Sequence, residues 1–503
     1  MLSLIKLNIF STLNVDAKSK KLLKKNNLKK NNKMSNSNNR RSFLKLTGLA
    51  GLGMATGGLV SCGTTAKIVA PPNGGVSRFN MSGYAAPKID TVKIGFIGLG
   101  MRGPGAVKRM SYIEGVEIKA LCDLRPKQAE NAKKLLEGTS HNPKVYSGSE
   151  DAWKDMIDTE DLDLIYIATP WDLHVPMAVY AMNAGRHVGV EVPAAKTIDE
   201  CWELVETSEK TKMHCMMLEN CCYDFFELLT LNMARQGYFG DIIHGEGAYI
   251  HDLVDLNFNK NAFQDMWRLK ENIGRDGNLY GTHGLGPICQ VMNVNRGDQM
   301  DYLTSLSSGD FSMGPRAKSL AKEDPFFEPF ENANYRGNMN TTMIKTKKGR
   351  SIMIQHDVSS PRPYSRIHLI SGTEAIARKW PSERIGKGHS WLSKDDFTAL
   401  EKQYTPAIVK KVGDLAKQVG GHGGMDFMMD WRLIDCLRNG LPLDQDVYDA
   451  ALWSAITPLS EQSVGNRAAS IDVPDFTRGN WKTNAPVDIS LAGGGTTNVL
   501  YGK

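Results

Sequence analysis

The sequence predicts an α/β domain with a doubly wound parallel sheet, followed by an α+β domain with an open, mainly antiparallel sheet. Over residues 91–220, short apolar runs alternate with helical patterns, as strands and helices do in a parallel sheet. From about residue 240, longer strand patterns follow one another with few helices between them, which is typical of an antiparallel sheet with one open face. A chain of 503 residues provides enough apolar surface for two such cores.

The first strand pattern leads directly into a glycine-rich loop. The apolar residues 92–97 precede Gly98-x-Gly100-x-x-Gly103, and residues 106–110 begin a helical pattern. Gly98 allows a tight turn, Gly100 lets a pyrophosphate approach the backbone, and Gly103 lets helix and strand pack closely. The free N–H groups at the start of the helix favour an anion.

An acidic residue lies at the distance that a dinucleotide site requires. Asp123 ends the next apolar run, twenty residues beyond Gly103. A carboxylate there accepts a hydrogen bond from the ribose 2′-OH and repels a 2′-phosphate, so the pattern predicts a Rossmann domain that binds NAD in preference to NADP. The nearby Arg125 keeps the choice between the two nucleotides open.

The rest of the first domain continues the alternation of strands and helices. Helices are predicted over residues 126–137, 175–184 and 198–211, and strands over 162–169, 185–191 and 213–220. Ligands of such sheets bind beyond the carboxyl ends of the strands. The stretches at those ends are residues 169–174, 191–194 and 220–223.

The second domain, residues 221–480, is predicted to bind the substrate. Its strand patterns cover residues 242–251, 302–308, 339–346, 351–356 and 365–371, with a hairpin turn at 347–350. Helices are predicted over 400–419, 427–439 and 447–463, the last of which could return to the first domain. Residues 481–503 are interpreted as a C-terminal tail.

The N-terminus predicts export. Residues 1–62 contain twelve lysines and arginines and a single acid, so the remainder of the chain is mildly acidic and predicts no nucleic-acid partner. Arg40 and Arg41 begin a twin-arginine signal, for which Met34 is a more usual start, and a glycine-rich apolar stretch follows over residues 46–60. That stretch is too short to span a membrane.

The signal ends in Leu59-Val-Ser-Cys62, which resembles a lipoprotein cleavage box. Acylation of Cys62 would attach the chain to a membrane; an ordinary thiol beside a simple cleavage site is the alternative. Residues 63–90 are interpreted as a tether. The expected location is the periplasm or the outer membrane, and a homo-oligomer is compatible with the sequence. Because free NAD is scarce outside the cytoplasm, the chain should keep its NAD and return it unchanged.

The seven cysteines beyond Cys62 form no disulfide framework and no CxxC or Cys/His metal spacing, so no metal site is predicted.

Several motifs together are similar to one known family. They are Gly98-Leu-Gly-Met-Arg-Gly103, Thr169-Pro-Trp171 with His174, Val190-Glu-Val-Pro-Ala-Ala195, Leu218-Glu-Asn220, Trp267-Arg268, Tyr280-Gly-Thr-His-Gly284 and His422-Gly-Gly-Met-Asp426. On these residues the chain resembles glycoside hydrolase family 109, the NAD-dependent α-N-acetylgalactosaminidases, within the glucose–fructose oxidoreductase and inositol dehydrogenase superfamily. The likeness covers most of the mature chain.

The resemblance implies a glycosidase that uses NAD without net redox change. Hydride leaves C3 of the sugar, a base removes the acidified C2 proton, the C1 substituent is eliminated, water adds, and the hydride returns. The usual glycosidase route needs two carboxylates that flank the bond, and the sequence offers no compelling pair. By resemblance the substrate is a terminal α-linked N-acetylgalactosamine.

Candidate catalytic residues are His283 and Tyr223. Imidazole exchanges protons near neutral pH, and His283 lies between the small residues Gly281 and Gly284, where a side chain is less easily buried. Tyr223 follows a strand end and is the second candidate for proton transfer, with a packed aromatic as the alternative. His251 and His422 are interpreted as structural.

The remaining site residues are predicted from strand ends and from the resemblance. Glu191 ends a buried strand, where an unpaired carboxylate would be costly, so a partner is expected. The predicted cofactor-binding residues are Gly98, Gly100, Met101, Arg102, Gly103, Asp123, Trp171, Asp172, Leu173, His174, Glu191, Val192 and Asn220. By resemblance, the substrate-binding residues are Tyr249, Arg268, Tyr280, Gly281, Thr282, His283 and Tyr364. Trp267 is interpreted as a core residue.

Two other functions stay open. The first is an exported NAD(P)-dependent sugar or cyclitol oxidoreductase on the same fold. Val192 occupies the place of the lysine in the superfamily's Glu-Lys-Pro loop, and Leu279 that of the aspartate in its Asp-x-Gly-x-His pattern, so the usual proton relay of a dehydrogenase is missing. The second is a sugar-binding lipoprotein without activity.

Overall fold

The computed structural model describes residues 79–502. The predicted signal, with Arg40, Arg41 and Cys62, lies outside the described residues, as does the predicted tether up to residue 78.

The first domain contains a six-stranded parallel sheet with the order β3-β2-β1-β4-β5-β6. The strands are β1 (Val92–Ile97), β2 (Val116–Asp123), β3 (Lys144–Ser147), β4 (Leu164–Ile167), β5 (His187–Val190) and β6 (Cys215–Met217). The order reverses between β1 and β4, which is the place where ligands bind in such sheets. The predicted parallel sheet is confirmed. The sequence patterns missed β3, a short edge strand with only Val145 and Tyr146 as apolar residues.

Helices cover both faces of this sheet. They are α1 (Gly103–Met110), α2 (Pro126–Lys134), α3 (Ala152–Thr159), α4 (His174–Asn183) and α5 (Ile198–Thr211). The start of α5 has a capping box, in which the Thr197 hydroxyl accepts from the backbone N–H of Glu200 and the Glu200 carboxylate accepts from that of Thr197. That cap explains why the predicted and observed bounds of α5 agree.

The second domain contains a nine-stranded sheet with the order β14-β13-β12-β11-β7-β10-β9-β8-β15. Its strands are β7 (Ile242–Ile250), β8 (Met300–Ser307), β9 (Met339–Thr346), β10 (Ser351–Asp357), β11 (Leu369–Gly372), β12 (Ile376–Arg378), β13 (Arg384–Lys387), β14 (Ser390–Trp391) and β15 (Ile471–Asp472). All neighbouring strands are antiparallel except β7 and β10. The mainly antiparallel sheet and the hairpin at 347–350 are as predicted.

Helices pack against one face of this sheet and against the first domain. They are α6 (Phe225–Arg235), α7 (Val254–Asn257), α8 (Trp267–Lys270), α9 (Thr282–Met292), α10 (Met313–Glu323), α11 (Lys394–Tyr404), α12 (Ala407–Val419), α13 (Met425–Asn439) and α14 (Val447–Gly465). The prediction of a single helix over residues 400–419 is wrong. Thr405 and Pro406 are extended and separate α11 from α12, because the residue before a proline avoids the helical region.

The last long helix joins the two domains, as predicted. Ser454 of α14 accepts a hydrogen bond from the backbone N–H of Ala194, at 3.1 Å, beyond the end of β5. Two stretches predicted as tether and tail also pack against the protein. Met81 is buried and its N–H donates to the hydroxyl of Tyr448 at 3.1 Å, while Trp431 donates to the carbonyl of Thr497 at 3.2 Å. The chain is therefore ordered well before residue 91 and well after residue 480.

Glycines bring α9 into direct backbone contact with β7. A Cβ on Gly284 would lie 2.2 Å from the backbone nitrogen of Ala248, and a Cβ on Gly247 would lie 2.3 Å from the carbonyl oxygen of Gly284. Any larger residue would push helix and strand apart. This contact sets the position of His283, which immediately precedes Gly284. Among residues 79–502, no helix has both the length and the apolar character needed to cross a membrane.

Candidate active site

A cavity of about 950 Å³ lies between the carboxyl ends of the parallel strands and the second domain. Of the predicted site residues, those that line it are Gly98, Gly100, Met101, Arg102, Asp123, Trp171, Leu173, His174, Glu191, Val192, Asn220, Tyr249, Arg268, Tyr280, His283 and Tyr364. The predicted cofactor-binding residues and the predicted substrate-binding residues therefore meet in one cavity, with the glycine loop at one side and His283 at the other.

The glycine loop has the shape that a dinucleotide needs. Gly98 has a φ of 89°, and a Cβ there would lie 2.6 Å from the backbone of Ala168. A Cβ on Gly103 would lie 2.0 Å from the carbonyl oxygen of Gly98, so Gly103 supports the turn without lining the cavity. Gly100, in contrast, has nothing within 4 Å of its Cβ position and lines the cavity, which leaves room for a diphosphate against the backbone.

Asp123 is fixed at the edge of this loop by backbone hydrogen bonds. Its carboxylate accepts from the N–H of Leu99 at 2.7 Å and from the N–H of Arg125 at 2.8 Å. Each oxygen keeps a lone pair that a ribose hydroxyl can use. The loop and Asp123 together fit a dinucleotide.

A buried carboxylate of the second domain holds the loop from the other side. Asp426, at the start of α13, pairs with Arg102 at 3.2 Å and with Arg109 at 3.5 Å, and it accepts from the side-chain amide of Asn220. Burial opposes the ionisation of Asp426, but the hydrogen bond from His422 and the two guanidinium groups outweigh it and hold the pKa of this carboxyl well below its ordinary value.

Arg102 also supplies the partner that was expected for Glu191. Its Nε donates to the Glu191 carboxylate at 3.1 Å. Arg109 donates to Asp430 at 2.7 Å, yet burial raises the pKa of Asp430 to about 6. The phosphate loop, the end of β5 and the start of α13 thus share one network of charges.

His174 is buried, and both of its ring nitrogens face backbone carbonyl oxygens, those of Pro193 at 2.7 Å and Thr169 at 2.9 Å. Burial lowers the pKa of His174 despite these hydrogen bonds. The side chain touches the cavity and links the loops that follow β4 and β5, so it holds the Val192 loop in place.

His283 forms a hydrogen-bonded pair with a buried carboxylate. Its Nδ1 lies 2.7 Å from Oε1 of Glu219, and the same oxygen accepts from the N–H of Cys221 at 3.1 Å. Burial works against the charge on Glu219, but His283 keeps the pKa of that carboxyl below its ordinary value. The carboxylate fixes which face of the ring meets the cavity and stabilises the ring when it carries a proton.

Aromatic rings surround this pair. The ring of Tyr249 lies 5.2 Å from that of His283, the ring of Tyr280 lies 4.9 Å from it, and Tyr364 contacts Tyr249 at 6.2 Å. Burial raises the pKa of all three tyrosines. Their phenols are therefore protonated near neutral pH and can donate hydrogen bonds to sugar oxygens.

Arg268 contributes a positive charge to the same end of the cavity. Its guanidinium lies 4.4 Å from the centre of the Tyr280 ring and 5.0 Å from that of Trp171. No carboxylate in the described part of the chain pairs with it, so its N–H groups are available to an oxygen of a ligand. Trp267, predicted to be a core residue, also lines the cavity and contacts Trp171 at 5.5 Å.

Tyr223 is not brought to the cavity. It lies in the short 3-10 helix Asn220–Tyr223, is buried, and its hydroxyl donates to Asp444 at 3.3 Å. Burial raises the pKa of Tyr223 well above its ordinary value. The predicted role in direct proton transfer is therefore corrected to the alternative, a packed aromatic residue.

Three further predicted residues lie beside the cavity without lining it. Asp172 pairs with Lys196, while Gly281 and Thr282 form the start of α9. Gly281 allows close packing, because a Cβ there would lie 2.5 Å from the side chain of Asn278. These two residues place His283 and do not themselves face the cavity.

Sequence reasoning missed four features of the site. His251 lines the cavity, and its Nδ1 lies 3.2 Å from the hydroxyl of Tyr249. Alternation could have revealed it, because residues two apart on a strand share a face. His422, also interpreted as structural, lines the cavity beside Asp426. Glu219 lies in the motif Leu218-Glu-Asn220, but nothing local predicts its pairing with His283, and the segment that precedes Trp267 had no local signal.

Ligand atoms of Glu219, Cys221 and His283 lie within 4.8 Å of one another, which is close enough for a metal ion. The direct hydrogen bond between His283 and Glu219 accounts for their proximity without an ion, and the sequence predicts none.

The fold and the cavity define an enzyme of the Rossmann type whose second domain completes the cavity beside the dinucleotide loop. Residues 92–219 match the family model "Oxidoreductase family, NAD-binding Rossmann fold". Residues 223–483 match the model "Glycosyl hydrolase 109, C-terminal domain". The chain belongs to glycosyl hydrolase family 109, and its cofactor is NAD.

Relatives support this membership over most of the chain. A glycosyl hydrolase family 109 protein of Shewanella pealeana is 45% identical over 458 residues, which cover 90% of this chain and 99% of that protein. An α-N-acetylgalactosaminidase of Bacteroides fragilis is 50% identical over 414 residues, which cover 81% of this chain and 96% of that protein.

Solved structures share the fold at much lower identity. A levoglucosan dehydrogenase in complex with NADH has a TM-score of 0.58 and 17% identity, covering 76% of this chain and all of that one. A scyllo-inositol dehydrogenase of Lactobacillus casei has a TM-score of 0.54 and 14% identity, covering 77% and 99%.

Replacing Asp426→Asn should destabilise the protein by about 1.5–3 kcal/mol at pH 7, because Arg102 and Arg109 lose the carboxylate they share and keep only Glu191 and Asp430. The depressed pKa means that the carboxylate stabilises the fold above its unfolded pKa of about 3.9 and that this stability is lost as the pH falls. The difference in melting temperature between wild type and variant should therefore shrink toward pH 3. Asp161→Asn, at an exposed pair with Lys93, is the control and should melt like the wild type. Equal melting curves at pH 7 for Asp426→Asn and wild type would contradict the assignment.

Proposed function

We propose that the protein cleaves terminal α-linked N-acetylgalactosamine from glycans with bound NAD and without net redox change. One observation carries this proposal: a histidine–carboxylate pair, three tyrosines and an arginine surround the end of the cavity that faces the NAD loop. Glu191 lines the nicotinamide half of the cavity but is already paired with Arg102, and Glu219 is buried behind His283 without lining the cavity. This end therefore does not offer the two free carboxylates that the usual glycosidase route needs. The 50% identical relative named α-N-acetylgalactosaminidase supports the choice of sugar.

NAD, when bound, supplies an acceptor and then a donor of hydride for one carbon of the sugar. The residues that would hold it are those of the glycine loop with Asp123 at one end, and Trp171, Glu191, Val192 and Asn220 toward the other. Val192 is buried and apolar, so this position offers no proton relay of the kind that a dehydrogenase lysine provides.

The chain's own residues handle the protons and orient the sugar. Oxidation at C3 makes the C2 proton acidic, and His283 is placed to accept it, with Glu219 stabilising the resulting imidazolium. Loss of that proton expels the substituent at C1, which leaves as an alcohol by taking up the proton. Water then adds its hydroxyl group to C1 and its hydrogen to C2, and return of the hydride to C3 restores the sugar. Arg268 and the tyrosines donate hydrogen bonds to the sugar oxygens.

The activity can be tested on purified mature protein without added cofactor. Incubated with an aryl α-N-acetylgalactosaminide, it should release the aryl alcohol steadily while the NADH absorbance shows no net rise. NADH that builds up to one equivalent and stops would instead identify a sugar oxidoreductase that awaits an acceptor. Neither signal with this and related aryl glycosides, despite bound NAD, would favour a protein that binds sugar without cleaving it.

Glu219→Gln should lower kcat roughly 10–100-fold, because an amide cannot stabilise the charged imidazole of His283. KM should change little, since Glu219 is buried behind His283 and does not line the cavity. Glu246→Gln is the matched control: Glu246 pairs with His244 at 3.5 Å outside the cavity and should keep the wild-type kcat. If Glu219→Gln turned over at the wild-type rate with unchanged NAD content, the pair would have no role in proton transfer.

We also propose that the chain is exported by the twin-arginine route and anchored through Cys62. The motif at Arg40 and Arg41 and the sequence before Cys62 support this proposal. In fractionated cells with a twin-arginine pathway, the wild type should reach the membrane fraction, and Cys62→Ser should move it to the soluble periplasm. Arg40→Lys combined with Arg41→Lys should keep it in the cytoplasm. Membrane association that survives Cys62→Ser would exclude the lipid anchor.

A further inference from the structure

A segment of the second domain extends along the dinucleotide half of the cavity. This covering segment, residues 261–268, follows α7 and ends with the first two residues of α8. Its residues that line the cavity are Asn261, Ala262, Phe263, Gln264, Asp265, Trp267 and Arg268. It spans from the Asp123 end of the cavity to the aromatic rings at the sugar end.

Near Asp123, the covering segment forms an ion pair with the first domain. Oδ2 of Asp265 lies 2.6 Å from Nη2 of Arg125. Arg125 stands two residues beyond Asp123 and is joined to it, because the Arg125 N–H donates to the Asp123 carboxylate at 2.8 Å. The side chain of Arg125 lines the same end of the cavity.

The backbone of the covering segment is unusual at the residue that makes this pair. Asp265 and Met266 both have positive φ, 56° and 51°, a conformation that non-glycine residues rarely adopt. Met266 is buried at 2% exposure, and Trp267 packs against Phe263 at 5.6 Å. Packing on both sides of Asp265 thus maintains a turn that directs its carboxylate to Arg125.

Asp123 and Arg125 favour different nucleotides. A carboxylate after the second strand accepts from the 2′-hydroxyl of NAD, whereas an arginine nearby can pair with the 2′-phosphate of NADP. Arg125 lines this end of the cavity, and its guanidinium already pairs with Asp265. Glu150 and Asp151 line the same end and add to the negative charge there.

We propose that Asp265 is a specificity-determining residue for the cofactor. By pairing with Arg125 it withholds the guanidinium from a 2′-phosphate, and its own charge adds to the repulsion of that phosphate. Selection of NAD thus depends on a residue of the second domain as well as on Asp123. The proposal rests on NAD occupying the cavity and is independent of which sugar the enzyme cleaves.

The test measures nucleotide binding rather than turnover. NAD-loaded protein is incubated with an equal excess of NAD and NADP until the ratio of the bound nucleotides no longer changes. It is then desalted and denatured, and the released NAD and NADP are quantified by chromatography. Asp265→Gly and Asp265→Asn should raise the ratio of bound NADP to bound NAD about two- to fivefold, the range expected when an exposed ion pair is removed. Both glycine and asparagine tolerate the positive φ of this position, so both variants should fold.

Two controls distinguish this effect from a nonspecific change in nucleotide binding. Asp255→Asn changes an exposed carboxylate outside the cavity, one that pairs with Arg316 at 3.0 Å, and should keep the wild-type ratio. Arg125→Gln combined with Asp265→Gly should lose the gain, because the released arginine is what binds the phosphate. An unchanged ratio in both Asp265 variants, or a gain that persists without Arg125, would overturn the proposal. The ratio of bound NADP to bound NAD can be measured even if the protein is inactive on N-acetylgalactosaminides. Failure of the proposed activity can therefore be distinguished from failure of the proposed role of Asp265.

Discussion

The buried carboxylate of Asp426 is the interaction on which the site depends. It is the first acid of a helix in the second domain, yet its partners are Arg102 of the phosphate loop, Arg109 of the helix that follows, and Asn220 at the end of the last parallel strand. Without Asp426, Arg102 would keep only Glu191 of the first domain and Arg109 would keep only Asp430, so the phosphate loop would lose its salt bridge to a carboxylate of the second domain. The two domains are therefore held at the distance at which a dinucleotide loop and a sugar pocket share one cavity.

A second constraint is purely steric and fixes the position of His283. Helix α9 lies on strand β7 at backbone contact, which Gly284 and Gly247 alone allow. Tyr249 projects from that strand and His283 from the start of that helix, so their rings meet at 5.2 Å. Glu219 approaches from the end of the parallel sheet and completes the pair. The chemistry of the cavity thus follows from three elements that are distant in sequence and converge at one point.

This convergence explains what the sequence could and could not predict. Local patterns sufficed for the parallel sheet, for the glycine loop with Asp123, and for the capped helix α5, because spacing and capping residues encode them directly. Most of the predicted site residues line one cavity, since strand ends in this fold share an edge. The sequence could not predict the pairing of Glu219 with His283 or of Asp265 with Arg125, and it could not decide between the two roles given for Tyr223. Each depends on a contact made more than sixty residues away.

The same reasoning explains how one fold serves two chemistries. The distant dehydrogenases share the architecture, so the nucleotide loop by itself cannot distinguish oxidation of a sugar from cleavage of its glycosidic bond. The proposed cleavage relies on side chains at the nicotinamide half, where Val192 is apolar and His283 is paired with Glu219. An enzyme that returns the hydride in each turnover gains nothing from exchanging its nucleotide. A segment from the second domain that pairs Asp265 with Arg125 across the cavity is consistent with a cofactor that stays bound.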